Sequence, residues 1–151
     1  MRGHMKVEFR PVTEENREDV LTLRVAENQK GFIESVEQCL KEAGEWDCWR
    51  PVGIYVDGCL VGFSMYCLWA SEKRVWMDRL LIDERYQGRG YGTRCFPLLL
   101  ERIKKEYSCS KIYLSIVEEN ERAAAFYQKF GFRFNGESDV HGEKVMELSC
   151  I

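Results

Sequence analysis

At 151 residues the chain fits one domain and is long enough to bury a core without metal or disulfide support. Hydrophobic residues make up 45% and charged ones 31%, the balance of a folded globular protein, and the net charge of −3 gives a nucleic-acid partner no electrostatic support while mildly favouring a small cation. No apolar run approaches the ~18 residues of a membrane span and the start lacks a signal-like apolar segment, so no membrane partner is expected and the cytoplasm is the expected compartment.

Seven cysteines without a C-x-x-C pair read as reduced, mostly buried thiols. His4 and His141 are the only histidines, so no metal site is expected. The opening MRGHM is left out of the fold reasoning because Met5 offers an alternative start. Val7 to Val12 alternates and ends near a proline, as an edge strand does. Thr13 is expected to cap a helix reaching about Val25, with Glu14 and Glu15 in its first turn. Ile33, Val36, Leu40 and Ala43 fall at helical spacing, predicting a second helix from about Gly31 to Ala43 that Gly44 ends.

From Pro51 to Leu68 the period becomes two. VGIYV and LVGFSMYCL read as strands joined at Asp57-Gly58, a two-residue hairpin turn whose residues tolerate positive φ. Arg74 to Ile82 predicts a third antiparallel strand. Tyr91 to Tyr107 predicts a helix, with a kink or open turn at Pro97, which has no N–H to donate. Lys111 to Val117 reads as a strand and Glu119 to Phe130 as a helix stopped by Gly131. Two strands, Phe132 to Glu137 and Lys144 to Leu148, close the chain around a turn near His141-Gly142. No internal repeat interrupts this order.

Between the third antiparallel strand and the long helix lies Asp83 to Thr93, DERYQGRGYGT. Glycines at 88, 90 and 92 remove the Cβ atoms that keep an anion from the backbone, and the helix that follows adds its dipole at the same place. A phosphate-bearing ligand suits such a loop. The spacing is neither the P-loop of nucleotide hydrolases nor the dinucleotide fingerprint. It spells Gln87-x-x-Gly90-x-Gly92, which resembles the acetyl-CoA pyrophosphate signature of the GNAT N-acetyltransferases. A second stretch, NERAAAFYQKFGF from Asn120 to Phe132, resembles the other GNAT signature, an Asn opening the helix after the fifth strand and a Y-x-K-x-G-F end. With FIES, DERYQG, IYLSI and the NGE turn, the chain looks most like bacterial spermine/spermidine acetyltransferases within that superfamily.

The resemblance implies a single α/β (α+β) domain, with helices flanking a mixed, mostly antiparallel sheet splayed between its fourth and fifth strands. It implies acetyl-CoA as co-substrate, with Gln87, Gly88, Arg89, Gly90, Gly92 and Thr93 at the pyrophosphate. Leu80 would supply the N–H for the oxyanion, Ile82 would pair with the pantetheine arm, and Asn120 would hydrogen-bond that arm besides capping its helix. Tyr127 is the candidate acid toward the leaving thiolate: a phenol near ~10 and a thiol near ~8.5 are close enough for proton donation. Read without the motif, Tyr127 is equally a core aromatic spaced with Phe126 and Phe130.

Asp78 is a candidate base, since an acid on a strand between Trp76 and Leu80 is costly to bury unless paired; a carboxylate at the similar position of spermidine/spermine acetyltransferases is a proposed base. Its structural alternative is a salt bridge to Arg74 or Arg79. Glu27 to Trp49 mixes acids with Phe32, Trp46 and Trp49, a composition that suits a cationic amine although most charge runs are solvated faces. Glu34, beside Phe32 and Ile33, is the leading single choice there, with Trp76 and Asp78 as further substrate residues. A primary amine of a polyamine is the expected acceptor, and homodimerisation is compatible with the resemblance. An aminoglycoside, an amino acid or a protein amine is the alternative acceptor, and a CoA-binding module without turnover is the alternative class.

Overall fold

A computed structural model describes residues 5–24, 36–45 and 48–150. Seven strands form one sheet, β1 (Val7–Pro11), β2 (Arg50–Val56), β3 (Cys59–Trp69), β4 (Arg74–Ile82), β5 (Lys111–Ile116), β6 (Arg133–Ser138) and β7 (Lys144–Ser149), in the order β1-β2-β3-β4-β5-β7-β6. Among the described residues four α-helices accompany them, α1 (Arg17–Leu21), α2 (Val36–Glu45), α3 (Tyr91–Tyr107) and α4 (Glu121–Lys129). Every neighbouring pair is antiparallel except β4 and β5. This is the mixed sheet that the motifs implied. No helix among the described residues is long and apolar enough to cross a membrane.

The β2–β3 turn has Asp57 at φ 51° and Gly58 at φ 82°, the left-handed pair that a two-residue hairpin demands. The sheet buries both faces. On one, Val75 and Met77 of β4 and Ile112 and Leu114 of β5 pack with Phe96, Leu99 and Ile103 of α3. On the other, Phe63, Met65 and Leu81 meet Val20 of α1 and Val36, Cys39 and Leu40 of α2. Met77 and Leu81 are an even number of residues apart, yet they lie in different clusters. The reason is a β-bulge: Met65 pairs with Arg79 and Tyr66 with Met77, leaving Asp78 as the extra residue.

Two local expectations are corrected. Helix α1 does not reach Val25; it spans only Arg17–Leu21, capped at Asn16, and Thr13 instead opens the preceding turn, its N–H donated to Asn16 Oδ1 at 2.8 Å. Past Leu21 the bonds tighten, with the Thr22 N–H on Asp19 and the Leu23 N–H on Val20, and the Arg24 N–H leaves the helix for Asp83 Oδ2, 3.0 Å away. Helix α2 runs one residue beyond Gly44, to Glu45, and its expected first residues, 31–35, lie outside the described residues. Helix α3 is one element through Pro97, which lies exposed and has no N–H to give to the carbonyl four residues back, the open turn expected there.

Candidate active site

Strands β4 and β5 pair only at Val75–Ile112 and Trp76–Tyr113. Beyond that point β4 runs on to Ile82 while β5, held along its full length by β7, runs to Ile116. Pairing stops at the residues next to the Asp78 bulge, which bends β4 locally. The result is a wedge between two strands, and a cleft of about 530 Å³ occupies it. Asp78, Leu80 and Ile82 line one wall, and Leu114, Ser115 and Ile116 the other.

The glycine loop closes one end. Asp83 caps a short 3₁₀ turn, Glu84–Tyr86, by accepting the Arg85 N–H. Gly88 at φ 79° and Gly90 at φ 80° are left-handed, and a Cβ on either would meet nothing within 4 Å, so these glycines answer to backbone conformation and open space alone. Gly90 is the N-cap of α3 and offers no side chain to the first N–H groups, which no helical carbonyl can accept. Gln87, Gly88, Gly90, Gly92 and Thr93 all line the cleft. The Gln87 amide also donates to the Ile82 carbonyl at 2.8 Å, bracing the loop against the end of β4. Gly92 admits the Phe126 ring, which a Cβ would contact at 3.7 Å. Arg89 is exposed in the same loop but outside the lining, its guanidinium 5.6 Å from the Tyr86 ring centre.

Helix α4 forms the third side. Asn120 caps it by accepting the Ala123 N–H at 3.2 Å and lines the cleft as well. Tyr127, about two turns on, is buried among Phe96, Phe126 and Phe132, with ring centres 5.4–5.8 Å away, yet borders the cleft. Tyr127 thus packs as a core aromatic and at the same time borders the cleft.

Asp78 is half-buried and faces α2, where the Cys39 thiol donates to its Oδ2 at 3.9 Å. Acids gather around this point: the buried Cys67 thiol is pushed well above its ordinary value, mainly by burial, with Cys48, Asp78 and Glu42 adding to the shift. Trp76 lies outside the cleft lining; its indole N–H donates to Glu72 at 3.2 Å and its ring packs on Tyr113. Glu34 lies outside the described residues. Arg74 does not pair with Asp78; it forms a two-pronged ion pair with Glu137 at 2.7 and 3.0 Å.

The sequence reading did not single out Tyr86, Tyr91, Ser115 or Arg122, all of which line the cleft. Tyr86 and Tyr91 flank Gly88 and Gly90 in the chain and their ring centres lie 6.1 Å apart, so aromatic flanks of a ligand loop were the available signal. Ser115 and Arg122 left none. Among the described residues no group of three His, Cys, Asp or Glu is arranged to hold a metal.

Residues 13–132 match the family model described as Acetyltransferase (GNAT) family. The chain is 47% identical over 148 residues to the spermine/spermidine N(1)-acetyltransferase of Bacillus subtilis (strain 168), covering 94% of this chain and 97% of that one. An aminoglycoside acetyltransferase AAC(6')-Ib solved with coenzyme A superposes with a TM-score of 0.78 at 20% identity, over 96% of this chain and 95% of that one. The PaiA N-acetyltransferase of Thermoplasma acidophilum with coenzyme A gives 0.68 at 18% identity, over 95% and 99%. At these identities the two structures speak for the fold alone.

Proposed function

We propose that this chain, which belongs to the acetyltransferase (GNAT) family, transfers the acetyl group of acetyl-CoA directly to a primary amine of a small polycation, with spermidine and spermine as the expected acceptors. The observation that carries the reading is the register of β4 against β5: two paired positions, then an open wedge with the glycine loop at its end and Asp78 and Tyr127 on its walls. The similarity of nearly the whole chain to a spermine/spermidine N(1)-acetyltransferase supports the acceptor.

Acetyl-CoA brings an activated thioester carbonyl and a thiol leaving group, and the residues present suit it. The left-handed glycines and the uncapped start of α3 present N–H groups to a pyrophosphate. Past Trp76, among the described residues, no strand pairs with β4 on its β5 side, so its backbone can take an extended ligand arm as any sheet edge can. We assign the pantetheine arm to this edge near Ile82 and to Asn120, and the oxyanion to the Leu80 N–H. A donor so placed contributes about 2.7–4 kcal/mol when it meets charge that develops in the transition state.

The acceptor reaches the protein as an ammonium of pKa ~10.4, so the nitrogen must lose a proton before it can attack. Asp78 has the role of base, aimed by the bulge. Tyr127 has that of acid, its ring locked by three aromatic neighbours so that the hydroxyl needs little reorganisation.

Incubation with acetyl-CoA and an amine panel, following free thiol, tests the reading. Release with spermidine and spermine is expected. Release only with an aminoglycoside, an amino acid or a protein amine would keep the reaction and change the acceptor. No release above background with any amine would leave a CoA-binding module.

A further inference from the structure

The first residue of the DERYQG stretch has no part in the mechanism above, and it lies outside the lining of the cleft. Yet Asp83 is 1% exposed. Burying a carboxylate is costly unless its lone pairs are filled, and here they are. Oδ1 accepts the Arg85 N–H at 2.9 Å and the Arg85 Nε–H at 2.8 Å, while Oδ2 accepts the Arg24 N–H at 3.0 Å and a longer bond from Arg85 Nη2 at 3.4 Å. The backbone doubles the join, since the Glu84 N–H donates to the Arg24 carbonyl at 2.8 Å. An asparagine would cap the 3₁₀ turn equally well, so the turn alone does not call for a buried charge.

The two strands of chain that meet here differ in task. Asp83 begins the stretch that becomes the glycine cradle five residues later, at Gly88. Arg24 is the last described residue before 25–35, which contain Glu27 and Glu34 of the expected amine side. Arg24 turns its own guanidinium back onto the carbonyls of Leu21 and Leu23, at 2.6 and 2.9 Å, so its backbone is pinned from both directions. Arg85 in turn reaches toward Tyr86, a cleft-lining ring 5.6 Å from its guanidinium.

We infer that Asp83 is a positioning residue that fastens the donor cradle and the start of the amine-side segment to one carboxylate, so that filling the cradle stiffens the chain at Arg24. The inference rests on the acetyltransferase reading. Its consequence is a residue on the donor loop whose loss is felt in the affinity for the amine.

Hydrogen exchange on the full chain, with CoA alone as the probe, tests it. In the wild type CoA is expected to slow exchange both in the glycine loop and in the peptide that contains Leu21 to Arg24. In Asp83→Asn the glycine-loop protection is expected to persist while the response at Leu21 to Arg24 disappears, and the KM for the amine at saturating acetyl-CoA is expected to rise about tenfold, the scale of one lost charge-assisted bond. Arg85→Gln, which keeps the carboxylate and both of its backbone bonds, should retain the coupling. A wild type in which CoA leaves Leu21 to Arg24 unchanged overturns the inference, even where the Asn variant fails to fold. So does an Asn variant that keeps both the coupled protection and the amine KM. A wild type that shows no CoA response anywhere sinks the acetyltransferase reading itself, a separate result.

Discussion

Replacing Gly90 by alanine separates the backbone's role in folding from its role in ligand binding. Gly90 sits at φ 80° with nothing within 4 Å of an added methyl, so Gly90→Ala introduces no clash. Its cost to the folded protein is the left-handed conformation alone, about 1–2 kcal/mol. For a chain of this size each kcal/mol lowers Tm by roughly 2–4 °C. Gly58, at φ 82° with equally empty surroundings, is a matched control on the β2–β3 hairpin. Gly58→Ala should therefore lower Tm by a similar amount. Only at Gly90 would the added methyl stand in the proposed pyrophosphate cradle and keep the anion from the backbone N–H groups, and one charge-assisted hydrogen bond is worth about 1.5–3 kcal/mol, or roughly 10- to 150-fold in affinity. The assay is a melt of each variant beside its KM for acetyl-CoA. Equal Tm losses with a KM rise confined to Gly90→Ala support the cradle; an unchanged KM for Gly90→Ala, or equal KM rises in both variants, refutes it.

Three further outcomes follow from the same geometry. Tyr127→Phe keeps the ring contacts with Phe96, Phe126 and Phe132 and removes the hydroxyl, so kcat should fall about 10²-fold with little change in Tm, and an unchanged kcat across pH would take the acid role from Tyr127. Asp78→Asn should lower kcat/KM at neutral pH by about 10²-fold or more and recover part of it as rising pH deprotonates the amine in solution; a flat loss at every pH would argue against a base. At Asp83 burial alone would raise the carboxyl's pKa, but the Arg85 side chain and the N–H groups of Arg85 and Arg24 outweigh it and hold the pKa below its ordinary value. A depressed folded-state pKa contributes stability that is present above the unfolded value of ~3.9 and is lost as pH falls through the folded one. Urea midpoints should therefore drop less between neutral and acid pH in Asp83→Asn than in the wild type, and parallel drops would contradict this.

What could be read from the sequence was what local chemistry decides. The bounds of β4 and α3 coincide with the expected Arg74 to Ile82 and Tyr91 to Tyr107, because strong periodicity and a glycine-rich junction mark both ends. Asp57-Gly58 predicted its own turn through its φ requirement. What could not be read depends on partners distant in the chain. Past the end of α1 the Arg24 N–H goes to a carboxylate 59 residues away. The bulge at Asp78 is a matter of register with β3, and it undoes the strict alternation by which side-chain directions on that strand are otherwise inferred. The resemblance supplied the splay, and the register locates it beyond Trp76. Of the expected ligand residues, those on the glycine loop, β4 and α4 gather on one cleft except Arg89 of the loop and Trp76 of β4, which stand outside its lining, and Glu34 lies outside the described residues.

The central claim is transfer to a small polycation, and the ratio of kcat/KM for spermidine to that for a monoamine of equal length tests it most directly. One additional ammonium held by a carboxylate is worth about 1.4 kcal/mol or more, so a ratio above roughly tenfold in favour of spermidine is predicted. A ratio near one would contradict the polyamine reading and leave only an acetyltransferase for some other amine.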